Sequence, residues 1–165
     1  MEIRRCEFND ADSMLKMLLA LDKETKYMMF EAGERVNDVS KVEKMINQCV
    51  NGEDLLLVVV DKENIVGFLS VQRGKTRKIK HTAYIVVGIR QAFRGQGIGK
   101  KLFSELDLWA RENKILRLEL TVMCPNNSAK NLYERNGFEI EGIKRKSIFM
   151  DGEYIDEYYM AKIYK

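Results

Sequence analysis

The chain has few of the residues that mark disulfide-rich or metal-binding proteins. Its 165 residues include three cysteines, one histidine and one proline. Cys6, Cys49 and Cys124 are odd in number and widely spaced, which argues against a disulfide framework and against a zinc site. We therefore expect no bound metal, and a reducing, cytoplasmic environment.

Long apolar runs are also missing. Residues 55–60 form an apolar run of strand length, far short of the roughly 20 residues that cross a bilayer. The N-terminal stretch lacks the apolar core of a signal peptide, because Glu7 and Asp10 interrupt it. These absences predict a protein that does not interact with membranes.

Charge of one sign is in small excess. With 28 Lys+Arg and 25 Asp+Glu, the formal net charge is +3, which is too mild to indicate a nucleic-acid partner by itself. Residues 73–80 form a basic cluster, which we interpret as a solvated hairpin loop. The alternative is that this loop contacts the phosphates of an RNA partner.

The order of helix and strand patterns predicts an α+β protein that forms one domain over residues 1–165. The predicted order is β-α-α-β-β-β-α-β-α-β-β, a sheet of about seven strands wrapped by helices. The predicted strands cover residues 2–6, 55–60, 65–71, 82–89, 116–122, 138–150 and 154–164. One helix covers residues 97–112, and the caps predicted for the others are Asn9 or Asp10, Ser40, and Asn126 or Asn127.

A glycine-rich turn joins the strand at residues 82–89 to the helix at 97–112. Residues 91–101 read Gln-Ala-Phe-Arg-Gly-Gln-Gly-Ile-Gly-Lys-Lys. A helix start leaves backbone N–H groups unpaired and adds partial positive charge, and glycines let a ligand approach the main chain. The turn is therefore suited to an anion, most naturally a phosphate or pyrophosphate.

Two phosphate-binding motifs fail here at residues that their mechanisms need. The dinucleotide fingerprint G-x-G-x-x-G requires glycine where Lys100 stands. The P-loop G-x-x-x-x-G-K-[ST] requires glycine at Arg94 and a hydroxyl at Lys101. What remains, Arg94-x-x-Gly97-x-Gly99, resembles the pyrophosphate loop of the GCN5-related N-acetyltransferases (GNAT), whose pattern is Q/R-x-x-G-x-G/A.

A second segment strengthens this resemblance. Residues 126–138, Asn-Asn-Ser-Ala-Lys-Asn-Leu-Tyr-Glu-Arg-Asn-Gly-Phe, look like the second GNAT signature, N-x-x-A-x-x-L-Y-x-x-x-G-F. Two signatures in the family order are more specific than either alone. Residues 138–142, 151–156 and 159–161 further resemble the GNAT subgroup that contains the RimJ/RimL-like enzymes and the YhhY-like amino-acid acetyltransferases.

The resemblance implies a mixed, mostly antiparallel GNAT sheet whose central strands, residues 82–89 and 116–122, splay apart. It implies acetyl-CoA as the acetyl donor, with its pantetheine arm along the first of these strands like an added strand. The implied pantetheine contacts are Val87, Gly88, Ile89, Asn126 and Asn131. The implied pyrophosphate contacts are Arg94, Gly95, Gln96, Gly97, Ile98, Gly99 and Lys100.

The resemblance also suggests catalytic groups. Tyr133 stands at the tyrosine of the second signature, where a phenol can donate a proton to the departing CoA thiolate. Some relatives place a glutamate base at the position of Thr121, and threonine cannot act as a base. Glu119, two residues earlier on the same strand face, is our candidate base. The other candidates are Glu34, Glu31, Tyr84 and His81.

The acceptor groove implied by the family is formed by residues 27–35 and roughly 148–158. Phe30, Glu31 and Glu34 are our candidates for contact with the acceptor. Acidic side chains in these two regions suit a cationic amine, or else they merely solvate the hairpin. These acids are Glu31, Glu34, Asp151, Glu153, Asp156 and Glu157.

The sequence thus predicts an N-acetyltransferase that moves an acetyl group from acetyl-CoA to a primary amine by direct attack. The acceptor classes are a free amino acid, a small amine and a protein N-terminus. The alternative is a non-catalytic module that binds or senses acyl-CoA. A homodimer is compatible with the resemblance, because dimers are common in the family.

Overall fold

The computed structural model describes residues 1–165 and confirms the predicted α+β class. The strands are β1 (Glu2–Arg5), β2 (Leu55–Asp61), β3 (Asn64–Arg73), β4 (Thr82–Ile89), β5 (Arg117–Met123), β6 (Glu139–Met150) and β7 (Glu153–Ile163). The α-helices are α1 (Ala11–Glu24), α2 (Val39–Val50), α3 (Ile98–Glu112) and α4 (Asn127–Arg135). Residues 25–37, between α1 and α2, contain turns and bends but no helix.

The sheet has seven strands in the order β1-β2-β3-β4-β5-β7-β6. The pairs β1–β2, β2–β3, β5–β7 and β6–β7 are antiparallel, and β4–β5 is parallel. The β4–β5 register contains only the pairs Thr82–Arg117, Ala83–Leu118 and Tyr84–Glu119, although both strands continue. The mixed, mostly antiparallel sheet with a splayed central strand pair is therefore confirmed.

The chain forms two compact units. The first comprises residues 1–72 and 86–102, and the second comprises residues 73–85 and 103–165. In the first, α1 and α2 bury apolar side chains such as Met14, Met17 and Ile46 in one cluster with β2 and β3. In the second, the core includes Phe103 and Leu118. The assignment of residues 1–165 to a single domain stays a prediction.

The cap of α2 differs from the prediction. Asp38, not Ser40, is the N-cap residue, and its Oδ1 accepts hydrogen bonds from Ser40 N at 3.0 Å and Ser40 Oγ at 2.7 Å. An aspartate before the helix satisfies an orphan N–H and adds negative charge at the positive end of the dipole. Ser40 therefore lies inside the first turn and binds the cap instead of acting as one.

Asp10 stands at the predicted cap position of α1, but its carboxylate bonds elsewhere. It accepts from Glu7 N at 2.7 Å and from both terminal nitrogens of Arg4, at 2.7 and 2.9 Å. These bonds join β1 to the turn before α1. The hydrogen bond from Arg4 is the main reason that the pKa of Asp10 lies below its ordinary value.

Gly88, in β4, is required by packing within the first unit. A Cβ on Gly88 would lie 2.6 Å from Leu21 Cδ2 and 2.7 Å from Phe68 Cε1. Contacts this short do not occur, so an added methyl would force the Leu21 or Phe68 side chain to shift. Gly142, in β6, is the opposite case, because a Cβ there would meet nothing within 4 Å.

We expect Gly88→Ala to lower the free energy of unfolding by about 1–3 kcal/mol, because the methyl overpacks a closed site. Gly142→Ala is the matched control in a strand with open space, and its effect should stay within about 0.5 kcal/mol. Urea unfolding of both variants measures the difference. If Gly88→Ala and Gly142→Ala lowered the free energy of unfolding equally, the close packing around Gly88 would be refuted.

Candidate functional site

The glycine loop lies in the first unit between β4 and α3. After the 3₁₀ turn Gln91–Phe93, the backbone passes through left-handed conformations at Gly95 (φ 74°) and Gly97 (φ 76°). A Cβ at either position would meet nothing within 4 Å. Backbone conformation, not crowding, therefore demands glycine at both places.

The backbone N–H groups of this loop are open. None of the N–H groups from Gly95 to Gly99 donates to a protein acceptor. A bond at the start of α3 runs from Lys101 N to Gly97 O at 3.2 Å. Successive unpaired N–H groups at a helix start, together with the helix dipole, form a concave anion site. This arrangement can bind a phosphate or pyrophosphate.

Glu24, in the last turn of α1, holds the base of the loop. Its carboxylate accepts from Arg90 Nε at 2.7 Å and from Gln91 N at 2.9 Å. The bond from Arg90 is the main cause of a pKa of Glu24 below its ordinary value. Arg94 is fixed separately, by a bond from its Nε to Ile89 O at 2.9 Å.

Sequence reasoning missed Glu24. Its partner Arg90 lies 66 residues away in the chain, so no local pattern connects them. The only available signal was an acidic residue in the last turn of a helix, where the dipole disfavours negative charge.

The candidate pantetheine residues of β4 follow its last pair with β5. Val87, Gly88 and Ile89 lie beyond Tyr84, the β4 residue of that pair. The backbone of Gly88 belongs to this stretch, although its lack of a side chain is already explained by Leu21 and Phe68.

Tyr133, on α4 in the second unit, is only 8% exposed. Its ring packs near Phe103 and Phe138, with centroid distances of 6.0 Å to each. Its hydroxyl makes no hydrogen bond to a protein group, which is unusual for a buried phenol. Burial, with a smaller effect of Tyr84, raises the pKa of Tyr133, so the phenol keeps its proton at neutral pH.

Tyr84 and Thr121 form a hydrogen-bonded pair in the second unit. The Tyr84 hydroxyl lies 3.0 Å from Thr121 Oγ1 and accepts from Thr121 N at 3.3 Å. Glu119, on the same strand as Thr121, accepts from Arg117 Nε at 2.7 Å through Oε2. Arg117 also binds Glu141, so the candidate base belongs to an ion-pair network.

The two candidate asparagines of the second unit differ in their bonding. Asn126 is the N-cap of α4, because its Oδ1 accepts from Ala129 N at 3.3 Å. Asn131 is exposed and makes no bond to a protein group. Capping does not prevent Asn126 from using its amide nitrogen, so both side chains can still contact a ligand.

Phe30, Glu31 and Glu34 lie together in the loop between α1 and α2. Glu34 closes a turn, because its Oε2 accepts from Glu31 N at 2.9 Å. Arg35 stacks over the Phe30 ring at 4.4 Å and binds buried Asp22 at 2.6 and 3.1 Å. Sequence reasoning missed the Asp22–Arg35 anchor, whose signal was a charged residue on the buried side of α1.

Three further sequence features concern the basic loop, a metal site and membrane spans. The basic loop at residues 73–80 is closed by Arg73, which donates to Lys80 O at 2.8 Å and Asn113 O at 3.1 Å. Nowhere in the chain do three or more His, Cys, Asp or Glu side chains converge as a metal site would require. No helix has the length and apolar character needed to span a bilayer.

Comparisons with known proteins agree with this geometry. The model of the acetyltransferase (GNAT) family matches residues 17–138. The L-amino acid N-acetyltransferase AaaT of Escherichia coli (strain K12) is 29% identical over 134 residues, which are 79% of this chain and 74% of that protein. A GNAT-family acetyltransferase from Streptococcus pneumoniae superposes with a TM-score of 0.94 at 25% identity, covering 99% of both chains. The yncA protein of Salmonella typhimurium, solved with its cofactor acetyl-CoA, has a TM-score of 0.86 at 19% identity and is covered to 93%, with 99% of this chain.

The hydrogen bonds of Glu24 to Arg90 and Gln91, called the Glu24 clamp below, give a prediction about stability at different pH values. The pKa of Glu24 in the folded chain lies below 4.5, so its stabilisation is present above about pH 4.5 and is lost as pH falls through the folded-state pKa. We expect Glu24→Gln to cost about 1 kcal/mol at pH 7, since the pair is partly exposed. The gap between wild type and variant should narrow in urea unfolding below pH 4.5.

Glu43→Gln is the control for this experiment, because Glu43 is an exposed acid of α2 without a bonded partner. A stability gap for Glu24→Gln that does not change with pH would contradict the clamp.

Proposed function

Because the chain belongs to the acetyltransferase (GNAT) family, we propose that it transfers the acetyl group of acetyl-CoA to a primary amine by direct attack. The protein is an enzyme, an N-acetyltransferase, and acetyl-CoA is its acetyl donor. The amine class and the roles of individual residues are the parts that we propose. Family membership leaves no support for a non-catalytic sensor.

The observation that carries the proposal is the row of unpaired N–H groups from Gly95 to Gly99 at the start of α3. We assign the pyrophosphate of acetyl-CoA to these groups, with the exposed Arg94 and Lys100 adding positive charge. The loop backbone also includes Gln96 and Ile98.

The pantetheine arm is assigned to β4 beyond its pairing with β5. There the backbone of Val87, Gly88 and Ile89 can pair with the pantetheine amides as an added strand would. Asn126 and Asn131 are the side chains that we assign to the same arm.

The chemical step follows from the Tyr133 phenol. A neutral amine attacks the thioester carbonyl carbon, a C–N bond forms, and the C–S bond breaks with its electron pair on sulfur. The Tyr133 hydroxyl, protonated and without a protein partner, donates its proton to that sulfur. Glu119 is the proposed acceptor of the amine proton, through water, since its Oε1 makes no hydrogen bond.

We propose Phe30, Glu31 and Glu34 as contacts of the acceptor. The similarity to an L-amino acid N-acetyltransferase favours a free amino acid over a small amine or a protein N-terminus. This choice is open to direct test with a panel of amines.

Assembly and location stay predictions. The edge strand β6 exposes Ile140 and Ile143, an apolar surface that a second copy of the chain could cover. The three cysteines are thiols, which agrees with a cytoplasmic location.

Gly97→Ala should raise the Kd for acetyl-CoA about tenfold. A side chain at φ 76° costs about 1–2 kcal/mol, and relief of this strain turns the loop N–H groups away from the pyrophosphate. Gly152→Ala is matched to it, with φ 78° and nothing within 4 Å in the β6–β7 turn.

Calorimetric titration should show normal acetyl-CoA binding for Gly152→Ala, and thermal melts should show similar destabilisation of both variants. If Gly97→Ala binds acetyl-CoA as wild type does, the loop is not the pyrophosphate site.

Tyr133→Phe should lower kcat by about 10²-fold or more, because the thiolate then leaves without a proton donor. The Kd for acetyl-CoA should stay nearly unchanged, since only one hydroxyl is removed. Release of CoA thiol, measured with a panel of L-amino acids and simple amines, gives kcat and at the same time identifies the acceptor.

Tyr164→Phe is the control for loss of a phenol, because the Tyr164 hydroxyl bonds Asp107 in a structural contact. It should alter stability more than kcat. A wild-type chain that binds no acetyl-CoA would refute the proposed function, and a fast Tyr133→Phe variant would remove Tyr133 as the acid.

A further inference from the structure

One sheet face in the second unit gathers hydroxyl and carboxyl side chains. The β5–β7 register pairs Thr121 with Tyr159 and Met123 with Glu157. Directly opposed residues of an antiparallel pair share a sheet face, and so do residues two apart on one strand. These four side chains therefore project from the same face.

Glu157 accepts fewer hydrogen bonds from the chain than the other buried acids do. It is 5% exposed, yet it accepts no hydrogen bond from the chain. Its one ion-pair partner is Lys144, whose Nζ lies 3.9 Å away, too far for a hydrogen bond. The other two buried acids, Asp10 and Asp22, each accept two short bonds from an arginine. A buried carboxylate normally has such partners, because its desolvation is costly. Glu157 thus retains room for N–H donors that the chain does not supply.

The face beside Glu157 is open to solvent. Tyr159, two residues along β7, is 47% exposed, and Tyr84, hydrogen-bonded to Thr121, is 37% exposed. A two-residue step spans about 6.8 Å, so a small ligand resting on the Tyr159 ring can reach Glu157. Aromatic faces also attract cations, which makes this approach suitable for a positively charged group.

We propose that Glu157 is the anionic partner of a positively charged amine group on the acetyl acceptor. The inference rests on the proposed N-acetyltransferase function and assigns the residue that holds the acceptor amine in its ammonium form, before the amine loses a proton and attacks. An ammonium group carries three N–H donors, so it can fill the carboxylate oxygens and displace the weak contact with Lys144.

The other acids of β7 fit this role less well. Asp156 Oδ1 already accepts from Lys146 N at 2.7 Å, and Glu153 is exposed. Glu157 differs from both, because it is mostly buried and accepts no hydrogen bond from the chain. Burial strengthens the attraction between unlike charges, and among these residues only Glu157 offers it.

Met123 provides a reporter of Glu157 that needs no acetyl-CoA. It is the register partner of Glu157, so its ¹³C-labelled methyl group senses a ligand there by NMR, with Met123→Leu assigning the signal. Butylammonium chloride titrated into the wild-type chain should shift this signal, and uncharged butanol should not. Glu157→Gln should weaken the affinity at least about tenfold, because a charge-assisted bond is lost.

Two further variants test whether the binding of butylammonium depends on Glu157 specifically. Lys144→Met removes the competing cation, and it should bind butylammonium at least as tightly as wild type. Glu139→Gln removes an exposed acid of the neighbouring strand β6 and should bind as wild type does. If Glu157→Gln does not fold, Glu157→Asp, which withdraws the carboxylate by one methylene, takes its place and should also bind more weakly.

Three results would overturn the inference: no Met123 shift with butylammonium, an equal shift with butanol, or wild-type affinity in the Glu157 variant. In the acetylation assay, Glu157→Gln should raise the KM for the amine about tenfold and leave the Kd for acetyl-CoA unchanged. Failure of the proposed function looks different, because no amine would then release CoA while the Met123 titration still reports on Glu157.

Discussion

The early end of the β4–β5 pairing is the constraint on which the candidate site depends. Parallel strands ordinarily satisfy their backbone groups on each other along their shared length, but here the register stops at Tyr84–Glu119. Just beyond that pair, Thr121 N donates to the Tyr84 hydroxyl, so a side chain serves where no β4 residue pairs with Thr121. The same interruption leaves the end of β4 without a β5 partner, which is the condition for an extended ligand to pair with it.

The three buried acids of the chain differ in whether an arginine pairs with them. Asp10 and Asp22 are neutralised by arginines at hydrogen-bonding distance and anchor β1 and the loop after α1. Such pairs are costly to break, because one buried charge would remain uncompensated. Glu157 has no comparable partner, and a cationic ligand could supply the N–H donors that the chain does not.

The glycines illustrate why a motif does not reveal its own physical cause. Gly95 and Gly97 adopt positive φ in open space, whereas Gly88 has an ordinary strand conformation and is closely packed by Leu21 and Phe68. Sequence reasoning assigned all three to the cofactor. Only the neighbours in space show that Gly88 also has a packing role, which any contact with the cofactor must accommodate.

The sequence by itself determined the order of the elements, β4 to the residue, the glycine loop before α3 and the signature around Tyr133. Each of these depends on local properties, namely side-chain periodicity, turn preferences and short motifs. The α2 cap was misplaced by two residues because Asp38 and Ser40 are both good caps, and only the backbone conformation chooses between them. Tertiary structure alone decided the clamp of Glu24 on Arg90, the Asp22–Arg35 anchor and the isolation of Glu157. The packing of separate segments determines which side chains meet there, and the sequence pattern does not show which partner, if any, each acid has.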